Sequence, residues 1–233
     1  SKSNRNIKKS IKSNKMKGKI KMNLPNKLTI FRIILVPIMV LIPFFNIQGE
    51  FLEIPITYLI IELIFIIASI TDKLDGTIAR KKNLVTTFGK FLDPIADKIL
   101  VLAALIMLVD FGKIPAWIPI IILFREFVVS GYRLIASQNG GEVIAASIWG
   151  KLKTVTQMIA IILCFIDKFS FGDFIFRVST KAEILTQSAA IYMTTGQYII
   201  NIATTVMLVI CVIATIFSGW DYLKGGKDLL KDK

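Results

Sequence analysis

The stretch DKLDGTIARKKNLVTTFGKFLDPIAD, residues 72–97, decides how the chain is read. It sets four aspartates, two glycines and an Ala-Arg pair between two long apolar runs. Carboxylates at the end of a hydrophobic span are costly to bury unless something neutralises them. Asp72 and Asp75 are three residues apart, and Asp93 and Asp97 are four apart, so each pair lines one face of a helix. Two helices offering two carboxylates each make an oxygen-rich site for one or two hard divalent cations. A solvated loop with ordinary charges would explain one such aspartate better than it explains four. Small residues accompany the acids: Gly76 and Ala79 after the first pair, Gly89 one turn before Asp93, and Ala96 beside Asp97. They let a second helix or a ligand approach the backbone closely. Two divalent cations would balance the four charges, bridge pyrophosphate oxygens and stabilise a leaving phosphate. Arg80 adds a planar fork donor suited to phosphate.

The flanking apolar runs set the fold class. The chain has 233 residues, 54% of them hydrophobic, and several segments reach the roughly 20 apolar residues that a bilayer span needs. The expectation is an all-α, polytopic membrane protein with six transmembrane helices. They cover about residues 28–45, 55–70 (its helix continuing to Arg80 or Lys81), 88–111, 117–135, 145–166 and 189–217. Lys and Arg concentrate in the N-terminal segment, around residues 80–90 and 133–153, and in the C-terminal tail. The connections at 46–54, 110–115 and 167–188 hold few. Positive charge marks the inner face, so both termini and the aspartates are expected on the cytoplasmic side of the cell membrane. Residues 220–233 read as a charged tail, and the structure of 167–188 is left open.

Other features narrow the chemistry. Histidine is absent, which excludes Ser-His-Asp triads, His-ligated zinc and phosphohistidine intermediates. Cys164 and Cys211 lie singly in apolar runs and match no disulfide or metal spacing. Residues 1–21 hold nine Lys or Arg and no acid, most of the formal net charge of +13. Beside a membrane span, such an arm meets anionic lipid rather than nucleic acid. Met22 is also a candidate native start, so residues 1–22 read either as a lipid-facing arm or as upstream sequence. Residues 23–233 read as one domain without internal repeats. At its start, Asn26, Thr29 and Arg32 recur at three-residue spacing. Asn26 and Thr29 suit helix caps, whereas Arg32 either snorkels to headgroups or faces a polar cavity.

The pattern Asp72-x2-Asp75-Gly76-x2-Ala79-Arg80-x8-Gly89-x3-Asp93-x3-Asp97 resembles the signature of the CDP-alcohol phosphotransferases at all eight positions and every spacing. The resemblance implies transfer of a phosphatidyl or similar group from a CDP-linked donor to an alcohol, with release of CMP. It also implies a six-helix, usually homodimeric membrane enzyme whose site opens to the cytoplasm. In such an enzyme Asp72, Asp75, Asp93 and Asp97 would ligate two metals, Mg²⁺ or Mn²⁺. Asp97 would also be general base on the acceptor hydroxyl. CDP-diacylglycerol would be bound by Asn26, Lys27 and Thr29 over the nucleotide, and by Gly76, Ala79, Arg80, Thr86 and Gly89 around the diphosphate.

Further pieces resemble the bacterial CDP-diacylglycerol–glycerol-3-phosphate 3-phosphatidyltransferases. They are residues 23–32, 88–98, Arg125-Glu126 with Ser130-Gly-Tyr-Arg133, and Gly150-Lys-Leu-Lys-Thr154. An anionic acceptor also follows from charge. Arg125, Arg133, Lys151 and Lys153 fall on the aspartate side of the fourth and fifth spans, where they suit an acceptor phosphate. Serine or choline would not call for such a cluster, while inositol phosphate or phosphatidylglycerol would. Read without an acceptor, the cations are ordinary inner-face charges. A divalent-metal transporter or channel would also explain the acids. It would distribute them along a pathway, however, and it leaves Gly76, Ala79 and Arg80 unexplained.

Overall fold

The computed structural model describes residues 24–81, 87–138, 148–178 and 191–225. Six long helices dominate them: α1 (Leu24–Leu41), α2 (Ile56–Lys81), α3 (Thr87–Asp110), α4 (Trp117–Gln138), α5 (Ile148–Ile166) and α6 (Thr195–Gly225). They coincide with the six apolar segments expected from sequence. The basic segment 1–22, the first residues of the fifth and sixth expected spans (145–147 and 189–190), residues 179–188 and the tail from 226 lie outside the described residues.

Among the described residues, three stretches are long and apolar enough to cross a membrane by length and composition: Lys27–Phe45, Ile148–Ile166 and Thr195–Lys224. In α2 the apolar part, Ile56–Thr71, is shorter, because the same helix continues through the first aspartate pair. Helices α3 and α4 likewise combine an apolar half with a charged half. At 31 residues, α6 is about 46 Å long, well over the roughly 30 Å of a bilayer's hydrocarbon core.

The bundle buries one stripe of each helix and leaves another apolar stripe outside. On α1 the inward positions are Thr29, Arg32, Val36 and Met39, at helical spacing. Arg32 is fully buried, at 0% exposure, so it faces the protein interior and does not snorkel outward. The core continues through Ile61, Phe65 and Ala68 of α2, Leu100, Ala104 and Leu108 of α3, and Ala160, Ile161 and Cys164 of α5. Meanwhile Ile34, Leu63, Ile67, Ile106, Phe124, Ile199 and Ile213 stand exposed. Such apolar exteriors suit lipid contact rather than water. The most extensive pairing is α5 with α6; α1 packs on α2 and α3, and α6 also on α4.

Three local expectations change. Asn26 and Thr29 were expected as caps, but the chain is already helical at Leu24, so both stand inside α1. The connection after α1 holds a 3₁₀ turn, Ile42–Phe45, followed by a small hairpin pairing Glu50–Phe51 (β1) with Ile54–Pro55 (β2). Its two turn residues, Leu52 and Glu53, have φ of 52° and 65°, the backbone a tight hairpin needs but one that Leu and Glu do not advertise. The last helix begins at Thr195 rather than near Ala189. Thr194 and Gln197 form a capping box there: the Thr194 N–H donates to Gln197 Oε1 at 2.9 Å, and the Gln197 N–H to Thr194 Oγ1 at 3.4 Å. Before it, Ile191–Tyr192 (β4) pairs in parallel with Arg177–Val178 (β3). The same helix also runs through the expected charged tail as far as Gly225, with Tyr222 buried.

The α3–α4 turn and the α5–α6 connection are locked together by a buried polar cluster. Lys113 Nζ donates to the carbonyls of Asp167 and Lys168 at 2.6 and 2.8 Å. Asn201 donates to Asp167 Oδ2 and to the Ser170 carbonyl, each at 2.9 Å, and accepts from the Phe174 N–H at 2.8 Å. Burial pushes the Asp167 carboxyl above its ordinary pKa and the Lys113 ammonium below its own. This end lies 13 residues of α3, about 20 Å, from Asp97.

Candidate active site

The two aspartate pairs fall where α2 ends and α3 begins. Asp72, Asp75, Gly76, Ala79 and Arg80 occupy the last three turns of α2. Gly89 and Asp93 occupy the first two turns of α3, and Asp97 follows one turn later. The 3- and 4-residue spacings are therefore helical, as expected. Thr86 lies outside the described residues, between the two helices. Asn26, Lys27 and Thr29 are in the first two turns of α1, with Lys27 exposed and Thr29 buried.

Asp97 lines a cavity of about 400 Å³ enclosed by α3, α4, α5 and the end of α6. Arg125, Arg133 and Lys153, three of the four residues expected to hold an acceptor phosphate, line the same cavity. Lys151, the fourth, is exposed and is not among the lining residues. The reason is helical geometry: Lys151 and Lys153 are two residues apart and point to different faces of α5. The spacing put them together only in sequence.

Glu126 is the hub of the cluster. Its Oε1 accepts from Arg125 Nη1 at 3.1 Å and pairs with the Lys153 ammonium. Lys153 is only 5% exposed, and a cation buried so deeply requires a counter-charge. The second Arg125 nitrogen donates to Ser218 Oγ of α6. Arg133 donates to the Tyr222 hydroxyl at 2.6 Å. Both guanidinium groups lie over the Tyr222 ring, at 5.6 Å for Arg125 and 5.5 Å for Arg133, a cation–π arrangement. From α3, Lys98 donates to Ser130 Oγ, which donates in turn to the Glu126 carbonyl at 2.6 Å.

Sequence reasoning passed over Lys98, Ser218 and Tyr222. A signal for the last two existed. Cys211, Thr215, Ser218 and Tyr222 recur at four-, three- and four-residue spacing, and all are buried, so the inward stripe of α6 simply continues into the tail.

Among the described residues, the lining has four cations (Lys98, Arg125, Arg133, Lys153) and two carboxylates (Asp97, Glu126), a net charge of two positive. The segment 72–97 that meets it at Asp97 brings four carboxylates, although its five Lys and Arg leave it a net charge of +1. A cationic cavity meeting a carboxylate-rich segment at Asp97 can hold an anionic ligand with a hydroxyl near a base. As a donor set, four carboxylates are hard oxygen ligands of the kind that hold Mg²⁺ or Mn²⁺.

The comparisons with known proteins identify the family. A family model described as CDP-alcohol phosphatidyltransferase matches residues 22–220. The CDP-diacylglycerol–glycerol-3-phosphate 3-phosphatidyltransferase of Bacillus subtilis is 41% identical over 214 residues, 90% of this chain and 97% of the relative. The Haemophilus influenzae protein of the same name is 36% identical over 217 residues, 91% of this chain and 98% of that one. A probable phosphatidylglycerophosphate synthase of Mycobacterium tuberculosis is 38% identical over 175 residues, 74% and 76% of the two chains. With the complete aspartate signature inside the matched region, the chain is an enzyme of the CDP-alcohol phosphatidyltransferase family.

Proposed function

We propose that this enzyme transfers the phosphatidyl group of CDP-diacylglycerol to glycerol 3-phosphate, giving phosphatidylglycerophosphate and CMP. The observation that carries the acceptor choice is the net-positive cavity reaching Asp97. A phosphate near dianionic charge matches its excess of two cations, and Arg side chains hold phosphate through paired, charge-assisted hydrogen bonds. The relatives' names point to the same acceptor. Phosphorylated inositol would match the charge equally and is the second reading.

The residues divide the work. Asp72, Asp75, Asp93 and Asp97 would hold two divalent cations, which when bound offset the charge of the donor's diphosphate and of the departing phosphate. Arg80, Gly76, Ala79, Gly89 and Thr86 bind that diphosphate, and Asn26, Lys27 and Thr29 cover the nucleotide. Arg125, Arg133 and Lys153 fix the acceptor phosphate, which aims a hydroxyl at Asp97. Asp97 takes the hydroxyl proton as the oxygen forms its bond to the phosphatidyl phosphorus, and the bond from that phosphorus to CMP breaks. Six spans, cytoplasmic termini and a cytoplasmic site fit this chemistry, since nucleotide and phosphorylated acceptor are found there. The lipid donor then reaches the site from the inner leaflet. A homodimer is the assembly that the family resemblance implies.

The test follows CMP release by the purified protein in CDP-diacylglycerol micelles. Release should need glycerol 3-phosphate, fall to background with unphosphorylated glycerol, stop on chelation, and return with Mg²⁺ or Mn²⁺. Equal release with glycerol, or full release under chelation, would defeat the corresponding half of the proposal.

A further inference from the structure

Gln157 is the polar residue of α5 that the reading so far leaves unused. It lines the cavity beside Asp97 and Lys153, is 3% exposed, and stands one helical turn beyond Lys153 on the same face. Its Nε2 has no hydrogen-bond partner among the described residues. Buried polar groups are ordinarily satisfied, and an exception inside a ligand cavity marks a group kept for the ligand.

The neighbours sharpen this. Lys98 is held by Ser130, Lys153 by Glu126, and Arg133 by Tyr222. The Thr154 hydroxyl is spent on the Gly150 carbonyl of its own helix at 3.0 Å. Arg125 keeps one buried nitrogen, Nε, without a partner, but that donor is charged and suits phosphate. Gln157 is thus the neutral amide donor in this lining that remains uncommitted.

A neutral amide suits a neutral hydroxyl. Glycerol 3-phosphate has two hydroxyls: the primary one is the less hindered nucleophile, and the secondary one stays free. Resting on the functional reading above, we infer that Gln157 is a specificity-determining residue whose carboxamide donates to the secondary hydroxyl of the acceptor. It thereby selects phosphorylated polyols over simple hydroxyalkyl phosphates. Fixed between Lys153 at its phosphate and Gln157 at its central carbon, the acceptor has little freedom to present the wrong oxygen to Asp97.

The probe is 3-hydroxypropyl phosphate, which keeps the phosphate and the primary hydroxyl at the same spacing and lacks the secondary one. The full-length enzyme in CDP-diacylglycerol micelles is assayed for kcat/KM with each acceptor, as wild type and as Gln157→Met. Methionine keeps the shape and removes the donor. Wild type should prefer glycerol 3-phosphate about tenfold or more, and Gln157→Met should bring the ratio near one, the effect of one hydrogen bond to a bound hydroxyl. If Gln157→Met does not fold, Gln157→Leu gives the same ratio test, since it too lacks the donor. A preference that survives the substitution, with both acceptors losing equally, overturns the inference and leaves the functional reading standing. A wild type without preference overturns it too. A wild type that turns over neither acceptor overturns the functional reading, and this inference with it.

Discussion

Two polar clusters of comparable size stand at opposite ends of the bundle, and they are finished differently. At the Lys113–Asp167–Asn201 end, the described donors and acceptors answer one another within a few residues. Among the described residues, none of the buried side-chain atoms lacking a partner belongs to that cluster. At the Asp97 end, a cavity of about 400 Å³ opens between four helices. Charge is left over there, and Gln157 and Arg125 retain unmet donors. An unmet buried donor costs roughly 1–3 kcal/mol, so the second cluster is the worse solution for stability. That cost is recovered when a ligand supplies the missing acceptors. The first end closes the fold, and the second keeps buried donors unmet.

The contrast can be broken from either side. The largest effect is expected at Asp97, where the proposed metal ligand and the proposed proton acceptor coincide. Asp97→Asn should lower kcat by about 10³-fold or more, with the melting curve of the purified protein unchanged. Near-normal turnover would remove it as base. At the other end, Asn201→Leu strips partners from Asp167, Ser170 and Phe174 together. It should cost about 3 kcal/mol of stability, read from denaturant unfolding in detergent, while the folded fraction keeps its kcat. A lost kcat at unchanged stability would mean that this end is not merely a closure. Smaller still, Arg133→Ala should raise KM for glycerol 3-phosphate about tenfold and leave KM for CDP-diacylglycerol alone. A change in the donor's KM instead would place Arg133 on the wrong substrate.

Much of this was legible before the structure. The helices follow from apolar runs whose length a bilayer explains, and the aspartate spacing needs only helical periodicity. What stayed hidden depended on direction and on unusual backbone. Arg32 could have snorkelled to headgroups or faced a polar cavity, and only packing decides. Leu52 and Glu53 adopt a turn conformation that their side chains disfavour, so no composition signal announces the hairpin. The Thr194–Gln197 capping box was visible but competed with an apolar run beginning earlier. Lys151 was grouped with Lys153 by nearness in sequence, although two residues along a helix put them on nearly opposite faces, about 160° apart. Tyr222 was lost to a tail read as charged, and it proves to be the surface over which both cavity arginines lie.

The central claim is that the cationic end selects a phosphorylated acceptor and that glycerol 3-phosphate is the one used. The most direct measurement is CMP release from CDP-diacylglycerol with glycerol 3-phosphate, inositol phosphate, serine and phosphatidylglycerol offered separately to the purified protein. Release with glycerol 3-phosphate should exceed every other acceptor by at least about tenfold. Faster release with any of the other three would contradict the account.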